Sequence, residues 1–418
     1  MTSLPELLAL TREQLLTQAE ERYVDLRPHL QHDELVHAIA TDMMAKDETV
    51  HADGVLDVLP EGFGFLRMLA LDFASTAIDA YVSANQVRSL NLQTGHRIRG
   101  AIRAPRGTER TFALVHVDFV QDTPPEELLT VAGFASRTAA APNRPLTLTE
   151  NQPVADDDTQ WMLHALQTLA PMAFGTRTLV HAPPKWPTAR LLATLANALQ
   201  QQHATADITV CLLDQRPEDI VAARTAVAAG THASATPVVT GTAFASPPER
   251  HVSVAELAWH RCLRQVEQGH DAILLIDSLT ALTRARCRST VPSGSWIQPG
   301  LDAKAILLAK EVLASTMQCT EGGSLTVIAT VTTGDAGTID EAIEREFASL
   351  TNSDVVIDTE TTTCQGLCFD ANATQTRDEG NPAHAVQTVK LRQVRSELAA
   401  LPHADRGAHW VQAMRDFA

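Results

Sequence analysis

The stretch Thr178–Leu192, TLVHAPPKWPTARLL, decides how the C-terminal part of this chain is read. An apolar strand at Thr178–Val180 runs into a short loop, and a helical segment follows over Ala189–Leu199. A phosphate-binding loop has this strand–loop–helix layout and reads GxxxxGK[ST]. Its glycines admit backbone N–H groups to the phosphates, its Lys reaches the β- and γ-phosphates, and its hydroxyl holds Mg²⁺. Here Pro187 stands in place of the second Gly, Thr188 in place of the Lys and Ala189 in place of the Ser/Thr. Proline also removes an N–H donor. The segment is therefore either a nucleotide site stripped of its chemistry or no site at all.

Around it, from about residue 161, the pattern alternates strand and helix. TLVHA, ITVCLLD, AILLID and LTVIAT are continuous apolar runs, as in strands covered on both faces. VSVAELAWHRCLRQVEQ and KAILLAKEVLAST between them have helical spacing. The expectation is a three-layer α/β domain with a mainly parallel sheet over 161–418. Asp277 ends the AILLID strand, where a Walker B carboxylate assists Mg²⁺. A second strand ends in Asp214-Gln215-Arg216-Pro217-Glu218.

Upstream, residues 1–47 carry helical periodicity for two or three short helices, and 48–120 break into short alternating segments such as GFGFLRML and TFALVHVDFV. Strands at that spacing suggest a small barrel or sandwich. Phe63, Phe65 and Arg67 alternate, so they share one strand face. Residues 121–160 are rich in Pro, Ala and acids and read as a linker. The fold class expected is multidomain α+β.

The 418 residues allow two or three domains. A net charge of −17 argues against a broad phosphate-gripping surface. The charge is uneven, however: Arg88, Arg97, Arg99, Arg103, Arg106 and Arg110 face only Glu109 within their own stretch, a patch compatible with a small anionic site. No apolar run reaches transmembrane length and the N-terminus is not a signal peptide, so a cytoplasmic protein without a membrane partner is expected. The six cysteines are scattered, with Cys364 and Cys368 the closest pair, and read as reduced thiols. No HExxH or paired Cys/His pattern occurs, and no metal is predicted.

With these residues in view, the chain resembles the transcription termination factor Rho family. The resemblance rests on GVLDVLPEGFGFLR, DAYVSANQVRSLNLQTG, ERTFAL, LVHAPPK, LLDQRPED, ERHVSVAE, ILLIDSLTALTRAR, VPSGSW, EGGSLTVIAT and IDEAIEREF, across roughly residues 50–380. It implies an N-terminal helical segment, an OB-fold RNA-binding domain and a RecA-like motor, in a family of hexameric RNA-dependent ATPases. The family's phosphate-loop Gly, Lys and Thr correspond to Pro187, Thr188 and Ala189; its catalytic Glu to Gln215; the Arg four residues after the Walker B Asp to Ala281; and its arginine finger to Ala373 of NATQTR. Pore lysines fall on Ser295 and Thr338. Asp277 and Lys185 survive, and Pro183, Lys185, Pro187, Asp214, Arg216 and Asp277 would outline a vestigial nucleotide site. Each lost group serves a highly charged transition state, and Gln is a very poor base. Lys185 or Arg190 is the obvious substitute cation.

The resemblance places Phe63 and Phe65 on the family's base-stacking aromatics, and Arg67, Asp79, Tyr81, Glu109 and Arg110 on its cytosine pocket, with Thr111 where the family has a Tyr. The reading is an RNA-binding pseudo-ATPase that regulates termination, with no cofactor expected. Its partners would be pyrimidine-rich single-stranded RNA, authentic Rho subunits, or copies of itself. An active divergent helicase using ATP and Mg²⁺, and a protein-binding scaffold using neither ligand, stay open. Residues after about 380 match poorly and receive no role.

Overall fold

The structure is a computed structural model, which describes residues 2–27, 29–149, 158–230, 236–334, 337–357, 369–370, 372–377, 393 and 396–397. Contacts divide the chain into two units, Met1–Phe134 with Glu256–Glu267, and Ala135–Ala255 with Gln268–Ala418.

In the first unit, three helices precede a barrel: α1 (Leu4–Leu8), α2 (Arg12–Glu21) and α3 (His32–Ala45). Ser3 and Thr11 cap the first two through reciprocal bonds with Glu6 and Gln14, which satisfies orphan N–H groups at each start. Five strands follow: β1 (Val50–Val58), β2 (Gly64–Arg67), β3 (Ala80–Val82), β4 (Arg97–Arg103) and β5 (Phe112–Val120). They pair in the order β1-β2-β3-β5-β4, and β4 returns to β1, which closes the barrel. Only β3 and β5 run parallel within it. This is the OB-fold topology. The helices are not a separate body, because Leu4, Leu7, Leu15, Leu35, Ile39 and Met43 share one core with Val50, Leu56, Leu66, Ile98 and Phe112.

The second unit is built on β6 (Arg177–Ala182), β7 (Asp207–Gln215), β8 (Val238–Ala243), β9 (Asp271–Asp277), β10 (Ser324–Thr332), β11 (Ser353–Val356) and β12 (Gln375–Thr376). Their order is β8-β7-β9-β10-β6-β11-β12, parallel throughout except for the last pair. The four apolar runs of the sequence are β6, β7, β9 and β10. Helices α4 (Thr188–Gln202), α5 (Pro217–Gly230), α6 (Pro248–Glu267), α7 (Leu279–Ser289) and α8 (Ile339–Phe347) alternate with the strands, although of α6 only the residues up to Ala255 belong to this unit. Helix α4 buries Leu191, Leu192, Leu195, Ala196 and Leu199, a helical stripe, against Val180, Val210 and Ile273 of the sheet. The sheet brings the C-terminal ends of β6, β9 and β10 side by side, and ligands of open α/β sheets bind at such ends.

The stretch 121–149, read as linker, is stitched into structure. Ala139–Ala140 pairs with Gln318–Cys319, and Pro145–Leu146 pairs with Met172–Ala173. The Ala-rich insert SRTAAAPNRP supplies those strands, which its composition hides. Cys211, Cys262 and Cys319 are buried and Cys287 half-buried, all as free thiols; Cys364 and Cys368 lie outside the described residues. No described helix is long and apolar enough to cross a membrane.

Candidate nucleic-acid face and degenerate nucleotide cavity

Alternation along β2 sends Gly64 and Leu66 into the barrel and Phe65 and Arg67 outward. Phe65 faces Tyr81 across the β2–β3 pair. Phe63, Phe65 and Tyr81 form a triangle with centroid separations of 5.9, 5.5 and 5.9 Å. Tyr81 is exposed and the two Phe rings half-buried, so ring surface stays open to a flat partner. Gly64 makes this hairpin possible: a Cβ there would lie 2.6 Å from the Asp57 carbonyl oxygen.

Arg67 is anchored rather than free to grip phosphate. Its guanidinium bonds Asp57, at 3.1 and 3.2 Å, and Asp79, while its Cζ sits 5.2 Å from the Phe65 centroid. Burial pushes the Asp79 carboxyl above its ordinary range, against the pull of Arg67 and of the Thr76 N–H and hydroxyl. Arg67 is therefore held in place beside the rings by the two carboxylates. The β3–β5 pairing sets Ala80 beside Phe112, which brings Arg110 and Thr111 to the same barrel edge. Glu109 sits on the exposed loop before β5 and is occupied by Arg103, at 2.6 and 2.9 Å, and by the Arg106 N–H. These bonds hold its carboxyl down to about 2.

The arginine patch is less available than its sequence suggests. Arg97 and Arg99 share Asp53 and Asp122, and Arg103 is paired with Glu109. Asp53 and Asp122 come from distant stretches of the chain, so a count over 88–110 misses them.

In the second unit, β6 leads into α4 through Pro183-Pro184-Lys185-Trp186-Pro187. The prolines carry no N–H. The Trp186 N–H donates to the Pro183 carbonyl at 3.2 Å, and the Thr188 N–H to the Trp186 carbonyl at 2.8 Å. Over 183–188 only Lys185 keeps an N–H uncommitted within the loop. A phosphate nest needs several converging N–H groups, and this loop has folded its own inward. Lys185 itself sits in the left-handed region, at φ 71°.

Asp277 lies at the end of β9 and is 2% exposed. Its Oδ2 accepts from the Thr188 hydroxyl and its Oδ1 from the Thr330 hydroxyl at 2.6 Å. Burial pushes its pKa up, against those two bonds. Thr188 is the first residue of α4, and its hydroxyl faces this carboxylate. Mg²⁺ demands near-octahedral oxygen ligation and keeps several waters. A buried carboxyl with both oxygens engaged by hydroxyls, beside the apolar Ala189, does not fit that ion.

A cavity of about 960 Å³ opens over this junction, lined by the loop, α4, the ends of β7, β9 and β10, and α5. It contains Pro183, Lys185, Pro187, Asp214, Gln215, Arg216, Asp277 and Ala281, so the outline proposed from sequence is brought together. Gln215 turns its amide back onto the Leu213 carbonyl, at 3.2 Å. Of the four lining cations, Arg216 is paired with Asp219 at 2.7 Å and Arg284 with Asp340 at 2.7 Å; Lys185 and Arg190 are exposed and make no ion pair among the described residues. Ala373, in the turn before β12, is exposed and does not line the cavity. Ser295 is exposed, and Thr338 caps α8 by accepting from the Glu341 N–H.

Sequence reasoning missed two features here. Trp186 lines the cavity, and its position two residues after Pro184 was the available signal. His181, the penultimate residue of β6, bonds Glu344 at 2.8 Å and Asp354 at 3.2 Å. Nothing in a linear reading ties those three residues together.

Comparison with known proteins gives a consistent result. Residues 52–126 match the Rho termination factor RNA-binding domain. Transcription termination factor Rho of Neisseria gonorrhoeae is 33% identical over 353 residues, 84% of this chain and 82% of that protein. The Haemophilus influenzae protein of the same name is 34% identical over 326 residues, 78% and 75% of the two chains. The Bacillus subtilis one is 32% identical over 326 residues, 78% and 73%. Among solved structures, an ATPase from the type III secretion system of pathogenic bacteria aligns with a TM-score of 0.52 at 16% identity, covering 72% of this chain and 80% of that one. This last likeness is one of fold alone.

Proposed function

Because this chain belongs to the transcription termination factor Rho family, we propose that it binds single-stranded RNA through the Phe63–Phe65–Tyr81 face and does not hydrolyse ATP. It then acts on termination as a regulator, by competing for pyrimidine-rich RNA or by entering rings of an authentic Rho as a subunit without a motor. The observation that carries this reading is a contrast. The stacking triangle is complete, at 5.5–5.9 Å, whereas the β6–α4 loop turns its N–H groups onto its own carbonyls.

Aromatic faces accept successive bases at about 1–3 kcal/mol each, which supports RNA affinity in an acidic protein. Phosphoryl transfer instead depends on preorganised positive charge and donors around the phosphates. The loop prolines, Thr188, Gln215 and Ala373 supply neither. A cytoplasmic site of action goes with this reading.

The test pairs two measurements on the full chain. Fluorescence anisotropy with a C-rich RNA should show binding that Phe63→Ala/Phe65→Ala weakens at least about tenfold. RNA-stimulated phosphate release from ATP should be absent. Equal RNA affinity of wild type and double variant would overturn the RNA reading, and RNA-stimulated release would overturn the pseudo-ATPase reading. Native mass measurement of the chain mixed with an authentic Rho decides between mixed rings and competition.

A further inference from the structure

We propose that His181 is a proton-operated latch on α8: its charged ring pins the helix to the end of β6, and loss of the proton frees the helix while the sheet stays folded.

The geometry asks for a charged ring. Nδ1 of His181 lies 2.8 Å from Glu344 of α8, and Nε2 lies 3.2 Å from Asp354 of β11. Two acceptors need two N–H donors, and only the imidazolium carries both. The residues in register with His181 on the flanking strands are Val331 and Val356. Glu344 and Asp354 are the charged groups that face the ring among the described residues, and His181 itself is 8% exposed. Burial alone would favour the neutral ring; the two carboxylates reverse this and hold the charged form up to about 9.

Loss of the proton leaves one N–H for two acceptors and sets a ring lone pair against a carboxylate. Asp354 is not free to back away. It lies within β11, between β6 and β12, and its Oδ1 also accepts from the Thr351 hydroxyl at 2.9 Å. Glu344 has an exit, because it stands on a helix of nine residues and is the more exposed carboxylate, at 23% against 11%. The bond that breaks is therefore the one to α8. The other ionic ties of the helix are Asp340 to Arg284 of α7 at 2.7 Å, and Glu346 to Lys310 of the helix Leu307–Ala314 at 2.6 Å. Both reach solvent, where such pairs stabilise little. What then remains is the packing of Ile343 and Phe347.

Release of α8 is felt at two further places. A Cβ on Gly300 would lie 3.1 Å from Ile339 Cδ1, so the turn between Trp296–Gln298 and Leu301–Asp302 rests on the first residue of the helix. Arg284 loses Asp340 as α8 moves. One buried ring thus controls the hairpin 296–302 and the charge on α7 together.

Native-state hydrogen exchange of the full chain, read by mass spectrometry at constant ionic strength and expressed as protection factors, tests the latch. Amides of α8 are expected to exchange through an opening of their own that low urea does not affect. Its equilibrium constant should rise at least about tenfold from about pH 7 to about pH 8.5. Amides of β9 should be better protected and exchange through the urea-sensitive global opening. His181→Gln, uncharged at every pH, should open α8 at about pH 7 at least as far as the wild type opens at about pH 8.5. Glu344→Gln, on the half-buried helix face, leaves His181 with Asp354 and removes only the α8 end of the latch; it should raise the opening at about pH 7 and make it nearly independent of pH. The proposal is overturned if α8 shares the protection and urea slope of β9. It is overturned equally if the wild-type opening changes less than about threefold over this pH range, or if its pH dependence survives in Glu344→Gln.

Discussion

The Thr188 hydroxyl donates to Asp277 Oδ2, so the first residue of α4 is bonded to the carboxylate that ends β9. Thr330 takes the other oxygen. The three residues tie the start of α4 to the ends of β9 and β10. Thr188→Val removes the hydroxyl at nearly constant volume and leaves a fully buried oxygen without its donor. The expected loss is about 1–3 kcal/mol in urea unfolding, with Thr188→Ser close to wild type. No loss with valine would mean the bond carries no stability.

Gln215 invites repair, because a single change to Glu restores the carboxylate of the family's motif. The structure argues that repair fails. The loop would still present only the Lys185 N–H, Pro187 would still stand at the Gly position, and Asp277 would still be held by two hydroxyls. Gln215→Glu is expected to show no RNA-stimulated phosphate release above that of the wild type in a single-turnover assay with ATP and Mg²⁺. A measurable rate would move the defect from the loop to residue 215.

How far the sequence could be read differs between the two units for physical reasons. The strands of the second unit are long apolar runs buried on both faces, and each of the four runs is a strand in the sheet. The β6–α4 loop departs from a phosphate-binding loop in residue type alone, since Pro, Thr and Ala differ in kind from Gly, Lys and Thr. What these residues do instead is not legible there: that Thr188 turns to Asp277, or that Trp186 and Thr188 spend their N–H groups inside the loop, depends on geometry. Likewise the arginines over 88–110 read as a basic patch because their partners Asp53 and Asp122 are supplied by strand pairing. Alternation along β1 puts Asp53 and Asp57 on one face, which is the only linear hint of it.

Tyr81 closes the aromatic triangle at 5.5 Å from Phe63 and 5.9 Å from Phe65. It is also the exposed member, so its replacement should be felt by a ligand and scarcely by the fold. Tyr81→Ala is expected to weaken C-rich RNA by about 1–3 kcal/mol with unfolding midpoint nearly unchanged. Tyr81→Phe keeps the ring and should retain most of the affinity.

Gly64 separates stability from surface chemistry in the opposite way. Its Cβ would meet the Asp57 carbonyl oxygen at 2.6 Å and Leu56 Cδ1 at 2.9 Å. The first contact is backbone, so the β1–β2 hairpin must open. Gly64→Ala should cost about 1–3 kcal/mol in denaturant unfolding and should weaken RNA binding although no ring is removed, because Phe63 and Phe65 flank the site. Unchanged stability would show that the hairpin yields without cost.

Two buried histidines, one in each unit, contribute to stability with pH dependences of opposite sign. In the second unit, burial of His181 alone would lower its pKa, but its bonds to Asp354 and Glu344 outweigh this and raise it to about 9. The charged form is favoured in the fold, so its contribution is complete below the unfolded value near 6.5 and fades as pH climbs from there to about 9. Its size is on the order of 3 kcal/mol. In the first unit, burial and then the Arg264 charge lower His96 to about 3. His96 Nδ1 accepts from the Gln93 N–H at 3.0 Å, and its Nε2 is buried without a partner among the described residues. The neutral form is favoured there, so its contribution is complete above about 6.5 and is lost as pH falls toward 3. Unfolding followed by hydrogen exchange in each unit should therefore show second-unit amides losing protection between about pH 6.5 and 9, and first-unit amides losing it below about 6.5. His181→Gln should flatten the alkaline slope, and His96→Asn should reduce the acid one, to which half-buried His37 and His260 contribute in the same sense. A slope that survives its own substitution unchanged would assign it to another group.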